Sequence, residues 1–338
     1  MNYKYKKLNG VKCPVCLNDE CFELHRVKNK QAVRHFIREF QESQRFKLLS
    51  KHILRLWGKD FSIITKCNNC DFCFPEPYVC GDEKFYSLAY PPNADYPSWK
   101  WDFQITAEYL QKLPIDNTYN YLELGAGKGA FVEYLLKEKI FSNSQITCTE
   151  FNKQTREAIS NMGIKCYSLR AEDLVNLEEH VNNYSVICLF QSIEHMSNIN
   201  EVFAALNKLL KVNGLLFITV PNSYRIEFNE LNGALLDMPP NHVGRWTRKA
   251  FKIIGEKHNF SLIDFKNQST TKNEAMDNFI NSKIMRAMQN PFSPLNIPVL
   301  NKSAEFIFKT FCRIKYKKYF DKESLHGMSS WVLFNKDC

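Results

Sequence analysis

The chain has 338 residues, of which 44% are hydrophobic and 24% charged, with a formal net charge of +9 at pH 7. This composition is too apolar for a disordered chain and too poor in Gly and Pro for a fibrous repeat, and the longest apolar runs fall far short of the roughly 18 to 20 residues that a membrane helix needs. The charge is uneven, at +4 over residues 1–118, −1 over 119–265 and +6 over 266–338.

Cysteines crowd the start of the chain. Seven of the twelve lie in the first 80 residues, and four of these form two C-x-x-C motifs, Cys13 with Cys16 and Cys67 with Cys70. The N-terminus is charged where a signal peptide would be apolar, so we expect a cytoplasmic protein whose cysteines bind metal instead of forming disulfides. Four thiolates close a tetrahedral Zn²⁺ site with no open position, which predicts a structural role.

The metal and its full ligand set stay open at this point. The 50 residues between the two motifs exceed the usual loop of a compact zinc ribbon, and Cys21, Cys73 and Cys80 are spare. An iron–sulfur cluster also accepts four thiolates, and reduced thiols without metal are the plain alternative. Between the motifs, the pattern from Arg34 to Trp57 predicts one basic amphipathic helix.

Residues 119–220 alternate short apolar runs with helical patterns. Five runs predict strands, some continuously apolar as in strands buried on both faces: Tyr121–Leu124, Ile146–Thr149, Cys166–Leu169, Val186–Phe190 and Leu215–Val220. Helices are predicted at Phe131–Lys139, Lys153–Met162 and Asn200–Val212. This alternation predicts an α/β fold with a doubly wound, Rossmann-like sheet.

Two further strands are predicted near the end of the chain, at Phe260–Phe265 and Ser329–Phe334. Residues 270–324 between them carry helical patterns and predict a helical insertion. Prolines at 91, 92 and 97 indicate a boundary. We therefore expect a zinc-knuckle module over residues 1–95 and one larger domain over 96–338.

A glycine-rich loop, Glu123-Leu-Gly125-Ala-Gly127-Lys-Gly129, ends the first predicted strand of the larger domain and opens a helix. Bare backbone lets a ligand lie close, and a helix N-terminus favours electronegative groups. The Gly-x-Gly-x-x-Ala spacing also fits the dinucleotide fingerprint, so a nicotinamide oxidoreductase is an alternative.

Two carboxylates and the ends of strands four and five favour S-adenosylmethionine (SAM) over a nicotinamide. Glu123 can face the ligand's ammonium group or main-chain amides. Glu150 ends the second strand and is suited to accept both ribose hydroxyls, a feature that NAD proteins share. The fourth strand runs into Gln191-Ser-Ile-Glu194-His195 and the fifth into Pro221-Asn222.

Over residues 119–222 the chain resembles the class I SAM-dependent methyltransferases. The resemblance rests on the E-x-G-x-G-x-G loop, the acidic end of strand two, the Ala171-Glu172-Asp173-Leu174 turn, the Ile-Glu-His-Met box at 193–196 and the sequence at 210–222. It implies the seven-stranded methyltransferase sheet and a cofactor pocket at the loop, strand end and turn. The residues that we expect to bind the cofactor are Glu123, Gly125, Ala126, Gly127, Gly129, Glu150, Phe151, Ala171, Glu172 and Gln191.

The cysteine motifs together with Pro239-Pro240-Asn241-His242 resemble, more narrowly, a zinc-containing subgroup that methylates sugars. Arg170 stands where many relatives have an adenine-binding Asp, so backbone groups or Glu172 are expected to read adenine. Ser192 replaces the tyrosine of the sugar C-methyltransferases, which weakens the case for C-methylation.

Transfer of a methyl group to a sugar hydroxyl calls for a general base, and histidine suits that task at neutral pH. His195, after the fourth strand, and His242, in a loop after the fifth, are the two candidates, and Glu194 could orient a histidine or bind substrate hydroxyls. The alternatives are that His195 packs beneath the cofactor and that His242 caps the helix beginning near Thr247.

The sequence thus predicts a SAM-dependent methyltransferase that acts on a hydroxyl of a nucleotide- or lipid-linked sugar of the surface-polysaccharide type. Two alternatives are an RNA methyltransferase that grips RNA with the cysteine module and a non-catalytic, zinc-stabilised binding protein. The basic residues Arg313, Lys315, Lys317 and Lys318 could meet RNA, an anionic lipid surface or an acidic substrate, or form a solvated helix face.

Overall fold

The computed structural model describes residues 6–39, 41–90, 99–231, 237–288, 290, 293–296, 301–316 and 327–337. The strands are β1 Lys6–Lys7, β2 Cys21–Lys28, β3 Phe61–Cys67, β4 Cys73–Glu76, β5 Tyr121–Leu124, β6 Ile146–Thr149, β7 Lys165–Tyr167, β8 Tyr184–Phe190, β9 Leu210–Pro221, β10 Phe260–Asn267 and β11 Ser329–Lys336. The α-helices are α1 Asn29–Phe36, α2 Ser43–Trp57, α3 Glu83–Ala89, α4 Trp101–Leu110, α5 Ala130–Lys137, α6 Lys153–Asn161, α7 Ala171–Leu174, α8 Ile199–Leu209, α9 Ser223–Leu231, α10 Arg248–Lys257, α11 Lys272–Met288 and α12 Asn301–Tyr316.

The first 90 residues carry an antiparallel sheet of four strands in the order β1-β2-β3-β4. The single helix predicted from Arg34 to Trp57 is wrong, because the chain forms two helices, α1 and α2, in this region. Ile37 breaks the helical run with extended backbone (φ −135°, ψ 131°). Its side chain is buried with Val33 and Phe46 in the small core of this region, so packing overrides local helix preference.

The larger sheet has seven strands in the order β10-β11-β9-β8-β5-β6-β7. Strands β5 to β9 are parallel, and β11 pairs antiparallel with both β9 and β10. The predicted α/β fold with a doubly wound, seven-stranded sheet is confirmed.

Several element boundaries differ from the prediction, among them the α8–β9 junction and the end of β7. The helix predicted over Asn200–Val212 ends at Leu209, and the following residues begin β9, because Leu210 pairs with Tyr184 of β8. Strand β7 ends at Tyr167 instead of Leu169. Both differences fall at element ends, where sequence patterns are least informative.

Alternation along the central strands builds one buried layer on each face of this sheet. Leu122 and Leu124 of β5 face a layer that includes α8 and α10, whereas Tyr121 faces the layer that includes α4 and α5. The first layer also contains the buried side chains of Cys13, Cys67 and neighbouring residues. The cysteine-rich region therefore shares a continuous core with the seven-stranded sheet.

The predicted helical insertion is present between β10 and β11, as α11 and α12. These helices pack on each other around Phe279, Ile280 and Cys312. The boundary predicted near residue 95, and Lys317 and Lys318, lie outside the described residues. Within the described part of the chain, no helix combines the length and apolarity that crossing a membrane requires.

Candidate functional site

The four predicted metal ligands come together. The sulfur atoms of Cys13 and Cys70 lie 3.5 Å apart, as do those of Cys16 and Cys67, and all four lie within 4.8 Å of one another. This is too far for disulfides, which need about 2.05 Å. Tetrahedral Zn²⁺ with bonds of about 2.3 Å places sulfurs about 3.8 Å apart, so the donor set and spacing fit a zinc ion.

Each C-x-x-C motif folds in the same way. Leu17 and Asp71, which directly follow the two motifs, both have left-handed backbone (φ 62° and 59°), and their N–H groups donate to the carbonyls of Cys13 and Cys67. Hydrogen bonding by Cys70, then by backbone N–H groups including that of Val15, lowers the pKa of the Cys13 thiol. The folded chain thus favours a thiolate at this position.

The spare cysteines stand apart from this four-thiol group. Cys21 lies beside it, but burial, followed by the charges of neighbouring cysteines, raises its pKa to about 12, so it remains a thiol. Cys73 pairs through its backbone with Arg245, and Cys80 lies 3.3 Å from the Ser197 hydroxyl.

The glycine loop joins β5 to α5 and lies at the carboxyl ends of β5 and β6. Gly125, Gly127 and Gly129 all have positive φ, between 56° and 76°. A Cβ added at Gly127 would meet no atom within 4 Å, whereas one at Gly129 would lie 2.9 Å from Ile159. Gly127 therefore borders open space that a ligand can fill, and Gly129 permits close packing of α6.

Glu150 follows β6 directly and connects to the glycine loop. Its carboxylate accepts hydrogen bonds from the N–H groups of Gly127 and Asn152, both at 2.8 Å. Burial, which backbone hydrogen bonds partly offset, raises its pKa. Phe151, the next residue, is 63% exposed, so it offers a flat apolar surface beside the carboxylate.

The 171–173 turn is the short helix α7, in which Ala171 is buried and Glu172 is half-buried. Burial raises the pKa of Glu172. Ala126 is buried next to Gly127. The loop, Glu150 and α7 follow the carboxyl ends of the parallel strands β5, β6 and β7, the edge at which doubly wound folds bind ligands.

Glu123 points into the sheet layer instead of open space. It is 2% exposed, and its carboxyl accepts a hydrogen bond from the Tyr121 hydroxyl at 2.9 Å. Burial raises its pKa to about 8, so the group is largely protonated at neutral pH.

Gln191 directly follows β8 and has left-handed backbone (φ 53°). Its side-chain amide donates to Asp102 at 2.9 Å and to Ser329 at 3.2 Å. Asp102, at the start of α4, is buried, and its Oδ1 atom has no hydrogen-bond partner among the described residues. Lys100 lies 3.6 Å from the other oxygen of this carboxylate.

His195 and His242 meet beside Glu194. Their ring centroids are 4.6 Å apart, and one donor atom from each of the three residues lies within 4.8 Å of the others. Glu194 is buried, and its Oε2 atom has no hydrogen-bond partner among the described residues. Burial, opposed by the charge of His242, raises the pKa of Glu194 to about 7.

Hydrogen bonds fix the tautomer of both imidazoles. Nδ1 of His195 donates to the Asn241 carbonyl at 2.7 Å, and Nδ1 of His242 donates to the Asp237 carboxylate at 3.0 Å. In a neutral ring with this tautomer, Nε2 carries a lone pair. Burial lowers the pKa of His195 to about 3, which keeps that ring neutral.

Asp237 anchors an ion-pair network behind His242. Burial alone would raise its pKa, but the charges of Arg225, His242 and Arg245 outweigh burial and hold the pKa below its ordinary value. Arg225 lies 3.3 Å from the Asp237 carboxylate. Arg245 pairs with Glu230 and also donates to the Asp237 carbonyl.

The N-terminal region contributes to the walls of this site. The Tyr86 hydroxyl of α3 lies 3.0 Å from Nδ1 of His195, and the Tyr90 hydroxyl donates to the Asn241 side chain at 3.2 Å. The segment that carries His242 is held at its far end by β4 and by the second cysteine motif, because Arg245 pairs through its backbone with Cys73 of β4 and the Thr247 hydroxyl donates to the carbonyl of Cys70 in the motif. Thr247 also caps α10 itself.

Comparisons with known proteins agree with this fold. A family model described as a methyltransferase domain matches residues 41–264, which is more than half of the chain. The chain therefore belongs to this methyltransferase family, and it is a class I SAM-dependent methyltransferase.

The solved structures that the chain resembles are distant from it in sequence. A putative sarcosine dimethylglycine methyltransferase from Galdieria sulphuraria is 14% identical, with a TM-score of 0.45, over 70% of this chain and 85% of that one. A SAM-dependent methyltransferase from Archaeoglobus fulgidus is 11% identical, with a TM-score of 0.46, over 70% of this chain and 94% of that one. No curated protein matches the chain.

Sequence reasoning missed three residues of the site: Asp102, Asp237 and Tyr86. Tyr86 precedes the sheet by more than thirty residues, and nothing in its local pattern points to His195. Asp237 could have been predicted from the sequence, because an acidic residue five positions before the candidate base His242 can orient that histidine. Asp102 had a weaker signal, an acid in the first turn of a helix.

The four-thiol group predicts one bound zinc ion per chain. Cys16→Ser should lower zinc content and the melting temperature, because loss of one ligand weakens the zinc site that cross-links the two cysteine motifs. Metal analysis and thermal unfolding measure this. Cys166→Ser, a half-buried cysteine outside the group, is the control, and a Cys16→Ser protein with wild-type zinc and stability would contradict the assignment.

Gly127→Leu should raise the dissociation constant of SAM by about 100-fold or more, because the new side chain extends into the open space of the crevice. Isothermal titration calorimetry measures the affinity, and zinc content should stay unchanged. Gly58→Leu is the matched control, since Gly58 also has positive φ and open space around its Cβ position but lies far along the chain, at the end of α2. Equal losses in both variants would refute the placement.

Glu123 makes stability depend on pH. Its pKa rises from 4.5 to about 8 on folding, so folding takes up a proton in this interval and stability falls as pH rises through it. Glu123→Gln should flatten the decline in melting temperature between pH 5 and pH 8 while keeping the Tyr121 hydrogen bond. Exposed Glu133→Gln is the control, and an unchanged slope in Glu123→Gln would disprove the shift.

Proposed function

We propose that the protein transfers a methyl group from SAM to a hydroxyl group of a sugar carried on a nucleotide or a lipid, with His242 as the general base. The observation that carries the proposal is the Asp237–His242 pair, which lies beside the unpartnered carboxyl of Glu194 and next to the strand ends that form the cofactor crevice. Family membership supports the SAM-dependent class, and the acceptor and the base are inferred from these contacts.

The glycine loop and Glu150 would hold the donor. Glu150 is suited to accept hydrogen bonds from ribose hydroxyls, and Phe151 offers a face for adenine. Asp102 has an unpartnered buried oxygen and lies next to Gln191 at the carboxyl end of β8, so we assign it to the ammonium group of the donor. The sulfonium supplies an activated methyl group, and the protein mainly aligns a nucleophile with it.

His242 fits the role of base better than His195. The Asp237 carboxylate orients its ring and would stabilise the imidazolium that forms on proton uptake. His195 is held by a neutral carbonyl, and its lowered pKa makes it a weak base. We therefore assign to His195 the positioning of the Asn241 segment and of Tyr86.

The acceptor wall suits a polyhydroxylated substrate. Glu194 offers a buried oxygen without a partner, and both imidazoles offer lone pairs. Buried groups of this kind gain most from hydroxyl partners. A substrate hydroxyl placed between His242 and Glu194 would give its proton to His242. Glu194 would accept a hydrogen bond from a neighbouring hydroxyl of the same substrate.

The proposed reaction balances as follows. A lone pair of the acceptor oxygen forms a bond to the methyl carbon, the carbon–sulfur bond breaks, and its electron pair stays on sulfur. Nε2 of His242 takes the hydroxyl proton. The products are a methyl ether and S-adenosylhomocysteine, and the imidazolium returns its proton to solvent.

We also assign a structural zinc ion to Cys13, Cys16, Cys67 and Cys70. The four sulfurs fill every position of a tetrahedral site, so no water can be activated there. The metal would hold the second cysteine motif in place; this motif contacts Thr247, and Cys73, three residues after it, pairs with Arg245.

Turnover of a panel of nucleotide- and lipid-linked sugars, with mass spectrometry of products, tests the function. His242→Gln should lower kcat by about 10²- to 10⁴-fold, with SAM affinity unchanged, because the substitution removes the base and leaves the crevice intact. His258→Gln is the control, since His258 is a half-buried histidine that contacts Asn200 outside the site.

Three results would overturn the proposal. An undiminished kcat in His242→Gln would show that His242 is not the general base. Methylation of RNA without any sugar turnover, with affinity that falls steeply with salt, would favour the RNA methyltransferase. Lack of SAM binding would favour a binding protein.

A further inference from the structure

The outer face of helix α12 exposes an unusual set of large apolar side chains. Phe306, Ile307, Phe311 and Ile314 are 72%, 67%, 56% and 76% exposed. Single exposed apolar residues are normal on a protein surface, but a helix advances about 100° per residue, which puts these four within one arc of about 140°. They form one continuous strip, the α12 strip.

The other side of α12 already has a partner. Cys312 is 2% exposed, and Phe308 and Tyr316 pack with it against α11. These three residues lie on the side of the helix opposite the α12 strip. The helix is therefore apolar on two faces, and only one of them is covered by the described residues.

Cations flank the α12 strip on both edges. Helical spacing places Lys302, Lys309 and Arg313 along one edge and Lys315 on the other. Residues 301–316 carry a net charge of +3; Lys309 pairs with Glu305 of the same helix and Arg313 with Asp277 of α11, both at 2.6 Å. The Lys315 ammonium lies 5.4 Å from the ring centroids of both Phe311 and Tyr316.

We propose that the α12 strip docks on an anionic membrane surface. An apolar face flanked by Lys and Arg is the pattern of a helix that lies in the plane of a bilayer interface, with the rings and aliphatic chains among the acyl chains and the cations at the headgroups. A second copy of this chain suits the strip less well, because pairing two such faces would bring two charges of +3 together. Nucleic acid offers phosphates to the cations but no apolar partner for the strip.

The place of the insertion in the fold supports this surface. Strand β10 is parallel to β9, because both pair antiparallel with β11. The insertion therefore leaves the sheet at the same edge as the carboxyl ends of β5, β6, β8 and β9, where the candidate site lies. It also packs on α9 through Phe228. Docking would hold the candidate site near lipid-linked sugars. This consequence rests on the proposed function, but the docking inference is independent of that function.

Vesicle sedimentation of the full-length, zinc-loaded protein tests the docking. We expect the protein to sediment with vesicles of phosphatidylcholine and phosphatidylglycerol, to stay in solution with phosphatidylcholine alone, and to detach as salt is raised. The double variant Phe311→Ser/Ile314→Ser should lose binding by about tenfold or more. Leu48→Ser is the control, because Leu48 is a similarly exposed residue of α2, at 56%.

Light scattering and SAM titration complete the test. Both variants should bind SAM as the wild type does, which shows that they fold and separates this inference from the proposed function. Three outcomes would overturn the inference. The first is no binding of the wild type to anionic vesicles, and the second is full binding by the double variant. The third is a wild type that is dimeric and does not bind vesicles, with a double variant that is monomeric.

Discussion

Parallel pairing of β5, β6, β8 and β9 is the constraint on which the rest of the molecule depends. It forces the carboxyl ends of four strands to one edge, so residues far apart in sequence become neighbours. Gly127 and Glu150 meet there through one hydrogen bond, and Glu194 follows β8 a short distance away. The candidate crevice consists of this edge of the sheet, the glycine loop and the carboxylates of Glu150 and Glu194.

Much of this arrangement could be predicted from the sequence, because its signals are local. Continuous apolar runs marked the central strands, and the ends of β5 and β6 matched the prediction. The glycine loop, Glu150 and the four cysteines that come together could be singled out because each belongs to a short pattern whose spacing reflects backbone geometry. The His195 and His242 pair was found as two separate candidates, and only the fold brings them together.

What the sequence did not indicate depends on contacts between distant segments. Tyr86 reaches His195 across more than a hundred residues of chain, and no periodic pattern encodes such a contact. The break at Ile37 has the same origin, because a buried side chain outweighed helix propensity. Glu123 was expected to face a ligand, but the alternation of β5 turns it into the layer beside Tyr121, where a neutral carboxyl suits its surroundings. The spacing of the glycines does not indicate whether Glu123 faces a ligand or the buried layer beside Tyr121.

The bridge between Cys73 and Arg245 limits how this protein could be rearranged in evolution. Because the cysteine region and the loop that carries His242 are joined by backbone hydrogen bonds, the two segments form a single inherited unit, although some 170 residues separate them. Recombination that exchanged the first 90 residues alone would leave that loop without its partner strand. Under the proposed function, a change of acceptor would therefore call for both segments to be replaced together, whereas the glycine loop and Glu150 could stay as they are.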